Sequence, residues 1–97
     1  MPVALERLDL RIPACRSLKE KRHVVKTLTS ALRSTFNVSV AEVDHQDLWQ
    51  RAALDVAAVS GTEYQLRKVM HQVERFVERW AEVELIAADL SIHYPED

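Results

Sequence analysis

The chain alternates between two hydrophobic periods. Along Val3–Ile12, Leu8, Leu10 and Ile12 interleave with Arg7, Asp9 and Arg11, the two-residue period of a strand with one buried face. Trp49–Val59 repeats the pattern, with Ala52, Leu54, Val56 and Ala58 on one side. Val83–Tyr94 does so again through Ile86, Ala88, Leu90 and Ile92. Val38–Val43 is a shorter, β-branched run that also reads as a strand. Two stretches between these follow the helical period instead. The first opens on Ser17 with Glu20 three residues on, a capping box in which hydroxyl and carboxylate satisfy each other's backbone N–H groups. Leu18, Val25, Leu28, Leu32 and Phe36 then lie on one side of that helix, and Asn37 suits a left-handed terminator. The second helix follows Ser60-Gly61-Thr62 and buries Leu66, Val69, Met70, Val73, Val77 and Trp80. These Met and aromatic positions read as core rather than as a cofactor pocket.

The element order is therefore β-α-β-β-α-β, which predicts an α+β, ferredoxin-like fold. Right-handed crossovers put both helices on one face of a four-stranded antiparallel sheet of order 4-1-3-2. One residue strains the pattern. Glu6 shares the inward parity of Leu8, and Leu5 has the outward one. A bulge near Glu6, or an early end to pairing, is expected there.

With 97 residues, the chain reads as a single domain spanning 1–97. Hydrophobic residues make up 47%, enough for one core. A chain this short buries only about 60–70% of its unfolded surface, so stability is expected to be modest unless copies associate. The lone Cys15 allows no intramolecular disulfide and reads as an inert thiol. No run of about 18 apolar residues and no secretory signal is seen, so the expected location is cytoplasmic, away from membranes.

Charge is where the pattern departs from an ordinary surface. From Arg11 to Arg33 there are seven Lys or Arg and one Glu, +6 in a chain whose remainder carries −8. At 100° per residue, Lys19, Arg22, Lys26 and Arg33 fall within about 60° of one another beside the apolar stripe. Arg16 and Lys21 add charge at the helix start, where free N–H groups and the helix dipole favour anions. The expected nucleic-acid-binding residues are thus Arg16, Lys19, Lys21, Arg22, Lys26 and Arg33, with RNA or a ribosomal particle as partner.

The connection Glu42–Arg51 between the second and third strands is the other candidate. His45 and Trp49 can stack, while Asp47, Gln46, Gln50 and Arg51 can hydrogen-bond, so His45, Asp47, Trp49 and Arg51 read as a recognition loop. Packing over a helix end, with the acids capping the turn, is the competing reading. Glu42, Asp44, His45 and Asp47 offer too few well-spaced donors for calcium or zinc. No nucleophile or oxyanion pocket accompanies His45, so no catalytic residue, metal or cofactor is expected. The topology is expected to put this loop and the first helix's N-terminus at opposite ends of the sheet, serving separate partners.

The sheet face away from the helices should show Arg7, Asp9, Arg11, Ala53, Asp55, Ala57, Val59, Val83, Leu85, Ala87 and Asp89. It lacks the aromatic platforms of an RNA recognition motif on its central strands. The loop Pro13-Ala14-Cys15-Arg16 lacks the glycines of an acylphosphatase phosphate loop. A flat, partly apolar face suits homodimerisation.

The segments Arg16–Arg22, Phe36–Glu42 and Asp44–Arg51 together resemble the YlxP-like family of small bacterial proteins, along nearly the whole chain. The resemblance implies a ferredoxin-like fold and brings no catalytic residue with it. Genes of that family commonly lie beside those for translation and ribosome-binding factors, which implies a ribosome-associated role. Glu6 departs from the apolar residue expected there. The combined expectation is a non-enzymatic RNA- or ribosome-associated module docking through a basic helix. The alternative is a homodimeric protein-interaction scaffold using the open sheet face.

Overall fold

The computed structural model describes residues 1–95. Its elements are β1 (Val3–Arg11), α1 (Leu18–Thr35), β2 (Ser39–Asp44), β3 (Arg51–Val59), α2 (Glu63–Glu78) and β4 (Glu84–His93). The sheet runs β2-β3-β1-β4 with every neighbouring pair antiparallel, which is the order 4-1-3-2 read from the other edge. The ferredoxin-like architecture is thus the observed one.

The core is the layer between sheet and helices. Ala4, Leu8 and Leu10 of β1 and Ala52, Leu54, Val56 and Ala58 of β3 meet Val24, Val25, Leu28 and Leu32 of α1. Leu66, Met70, Val73 and Val77 of α2 complete it. Each fully buried Leu or Val side chain contributes about 1.5–3 kcal/mol by leaving water. Trp80 is only half-buried, at the margin of this layer.

Local signals act much as the sequence implies. Ser17 Oγ accepts the Glu20 N–H at the start of α1, and Thr62 Oγ1 accepts the Gln65 N–H at the start of α2. The Glu20 carboxylate reaches one residue further back than a capping box requires, accepting the Arg16 N–H at 2.7 Å. Asn37 is not left-handed: α1 ends on Phe36 in extended backbone, with its N–H on the Leu32 carbonyl.

The irregularities lie on the two edge strands, and β1 is regular. Glu6 sits in register between Val56 and Leu90, so no bulge relieves it. On β4 the register slips at Ile86, since Leu85 faces Leu10 while Ala87 faces Asp9. This extra residue reverses the parity at the start of the strand. Val83 and Leu85 turn toward the core rather than onto the open face, and Ile86 is left 50% exposed. A second slip on β2 makes Val43 the extra residue, with Glu42 facing Leu54 and Asp44 facing Ala53. Asp44 is thereby moved from the helix side to the open face.

Candidate nucleic-acid interface

Antiparallel pairing decides what lies together. Arg11 faces both Arg51 and Glu84, so the end of β1 shares one end of the sheet with the starts of β3 and β4. The β1–α1 loop, the N-terminus of α1 and the β2–β3 connection all gather there. The two candidate regions are therefore neighbours, contrary to the opposite-end expectation. That expectation overlooked that β1 and β2, both antiparallel to β3, run the same way and finish at the same end. Side chains join the two regions directly. Gln50 Nε2 donates to the carbonyls of Pro13 and Cys15, and the Ile12 N–H donates to Gln50 O.

Lys21 is the main tie and a correction to the expected phosphate contacts. Its side chain is 1% exposed, and its ammonium lies 3.0 Å from Glu42 Oε2. The same Nζ donates to the His45 carbonyl. Lys21 points beneath the β2 edge because it falls on the helix face of Leu28 and Leu32, so it is structural and meets no ligand. A lysine reaches such a position only with a counter-ion, and Glu42, also on the helix side of the sheet, supplies it.

Arg16, Lys19, Arg22 and Lys26 are exposed, and none has a carboxylate within ion-pair distance among the described residues. Lys19, Arg22 and Lys26 form an outward ridge along the first half of α1, and Arg16 stands just ahead of the Ser17 cap. Arg33 is exposed too, but its guanidinium donates to the Val40 carbonyl on β2, which commits part of its donor set. By contrast Arg7, Arg11, Arg51 and Arg67 each have an acidic neighbour.

In the connecting loop His45 has φ 60°, the sole non-glycine with positive φ among the described residues. The left-handed backbone turns the chain sharply after the Val43 bulge. His45 is held by its carbonyl, which also accepts the Leu48 N–H, and by its own N–H on Asp44 Oδ1. Its ring folds over the open sheet face, with Nε2 3.6 Å from Asp9 Oδ1. Arg51 Nη2 lies 4.0 Å from the same oxygen, and Arg7 bridges Asp55 at 3.2 Å and Asp44 at 4.0 Å. His45 and Arg51 are thus engaged in a charge network on the sheet, and Ala53 is buried under it. Trp49 lies in the loop before β3 and is 48% exposed, Leu48 beside it is similarly open, and Asp47 is exposed.

A cleft of about 510 Å³ opens at this same end, between the start of α1 and the α2–β4 loop. Ile12, Cys15, Val24 and Ala81 line it with Lys19, His23 and Glu82. The Cys15 thiol is buried and donates to the Ser17 carbonyl. A wider groove of about 700 Å³ is lined by Phe36, Phe76 and Trp80 with Gln72, Arg75 and Arg79. The sequence pattern missed this groove because helical periodicity assigns Trp80 to the core. Arg75 and Arg79 beside aromatic residues are the one signal that pointed to it. No cluster of three or more His, Cys, Asp or Glu converges on an ion position among the described residues. No described helix is long and apolar enough to cross a membrane.

Fold and site together define a small α+β module with a cationic end. The family model described as "Protein of unknown function (DUF503)" matches residues 3–90, and the chain belongs to that family. It is 41% identical over 68 residues to the uncharacterized protein YlxP of Bacillus subtilis (strain 168), covering 70% of this chain and 74% of that protein. Among solved structures it resembles Rv0793 from Mycobacterium tuberculosis, with a TM-score of 0.52 at 14% identity, over 100% of this chain and 97% of that one. That likeness concerns the fold alone.

Proposed function

We propose that this protein is a non-enzymatic binding module for structured RNA or a ribosomal particle, docking through the first half of α1. The observation that carries the reading is the row Arg16, Lys19, Arg22 and Lys26. These cations are exposed, are free of carboxylate partners among the described residues, and stand on a protein of net charge −2. Elsewhere most exposed arginines of the sheet face are neutralised within the molecule. A phosphate backbone meeting the ridge releases counter-ions from itself at no cost of breaking internal ion pairs. Trp49 and Leu48 stand exposed at the same end of the sheet and offer stacking and apolar contact beside the phosphates. Phosphate contacts would set affinity and the loop would set local preference.

Binding of RNA or of purified small ribosomal subunits at two salt concentrations tests this. Affinity is expected to fall steeply with salt, with a slope set by about four phosphate contacts. The triple variant Lys19→Glu, Arg22→Glu, Lys26→Glu is expected to abolish binding while leaving the fold intact. Lys21 is left alone because its replacement damages the core. Undiminished binding by the triple variant rejects this surface.

The homodimeric scaffold is the second reading. The open sheet face is poorly suited to it, because Arg7, Asp9, Asp44, Arg51 and Asp55 would have to be desolvated together.

A further inference from the structure

A sheet edge leaves a row of N–H and C=O groups unpaired, and natural proteins usually blunt it. The order β2-β3-β1-β4 makes β2 and β4 the two edges. They are built differently. β2 has six residues, is broken by the Val43 bulge and carries Glu42 and Asp44 at its end. Its Val40 carbonyl is already taken by Arg33. Each of these is a device against further pairing.

β4 has few such devices. It is ten residues long and contains no Lys, Arg or Pro. Beyond Ile86, its register against β1 runs unbroken from Ala87 to His93. α2 covers this strand incompletely, since Ala88 is exposed although it faces the helix layer, and Leu90 and Ile92 are half-buried. The strand therefore offers an unpaired backbone row together with apolar side chains that a neighbour would cover.

We infer that β4 pairs with β4 of a second copy, antiparallel across a two-fold axis, joining two sheets into one of eight strands. The pattern of the strand itself argues for a second copy over a foreign strand. With the axis at Leu90, Ala88 meets the partner subunit's Ile92 on the helix side, so the apolar positions cover one another. On the open side Ala87 meets the partner subunit's His93, and Asp89 meets the partner subunit's Ser91. No like charges oppose each other, although Asp89 is the one acidic side chain of the stretch. A register shifted toward the bulge at Ile86 would disrupt the ladder. The pairing leaves the α1 ridge untouched, since α1 packs toward the opposite edge. It therefore stands or falls separately from the RNA reading.

Light scattering over a concentration series, with the full chain, measures the association. A dimer is expected, with slowed exchange of β4 amides as concentration rises. Ser91 is exposed, so both its charged variants are expected to fold, which far-ultraviolet circular dichroism checks. Ser91→Asp puts two aspartate pairs across the junction and is expected to weaken the dimer at least tenfold. Ser91→Lys creates opposite-charge pairs and is expected to hold or tighten it, with a salt dependence the parent lacks. A monomer at every concentration overturns the inference. So does a dimer that both variants leave unchanged.

Discussion

Two residues hold conformations or environments that their side chains resist, and each makes a measurable demand. Glu6 is fully buried in the middle of β1, with neither carboxyl oxygen hydrogen-bonded among the described residues. Burial first, then the neighbouring Glu74 carboxyl, then Asp89, push its pKa up to about 9. The folded protein thus holds Glu6 neutral, whereas the unfolded chain ionises it near 4.5. Its stability is full below that value and falls as pH rises toward about 9. Glu6→Gln is expected to escape this fall. The stability difference between variant and parent should widen by about 2–4 kcal/mol from pH 5 to pH 8 in denaturant titrations. A constant difference would place the ionised form in the fold. His45 makes the second demand through its left-handed backbone. His45→Asn is expected to be tolerated, and His45→Val to lose about 1–2 kcal/mol, because branching at Cβ clashes with positive φ. Denaturant midpoints read both. Neither position announces itself in the sequence. Glu6 is visible there only as a break in alternation, which a bulge would equally have explained.

At the scale of elements, the pattern of the chain was legible wherever local chemistry decided the outcome. Period, caps and turn residues located all six elements, because Ser17, Thr62 and the alternation of β1 and β3 each act within a few residues. The bulges at Val43 and Ile86 were not legible, since a single extra residue is set by pairing between distant strands. Missing them misassigned the faces of Val83, Leu85 and Ile86. Lys21 was misread for a related reason. A wheel places it near the apolar stripe, yet only the position of Glu42 on β2 shows that the ammonium is satisfied there. The brace between α1 and the β2–β3 loop gives a further expectation. Lys21→Met strands a partly buried Glu42 and is expected to lose about 2–3 kcal/mol. Adding Glu42→Gln should recover at least about 1 kcal/mol of that loss, a coupling that a double-mutant cycle reads directly.

At the scale of the molecule, the proposed interface gathers at one end of the sheet, above the core layer. The ridge, the exposed Trp49 and the smaller cleft occupy the end where β1 finishes, and the regular layer of Leu and Val below holds them in place. The candidate residues were legible singly, but their gathering was not, because it follows from the parallel course of β1 and β2. Lys21 makes that gathering mechanical as well as geometric. The opposite end has its own use. Val3 lies across from His93 there, so an affinity handle, a fluorophore or a surface tether attached ahead of the first strand or behind the last emerges on the remote side. Immobilised in that way, a protomer turns its own cationic end to solution, whereas the antiparallel copy paired through β4 would turn its cationic end toward the tether.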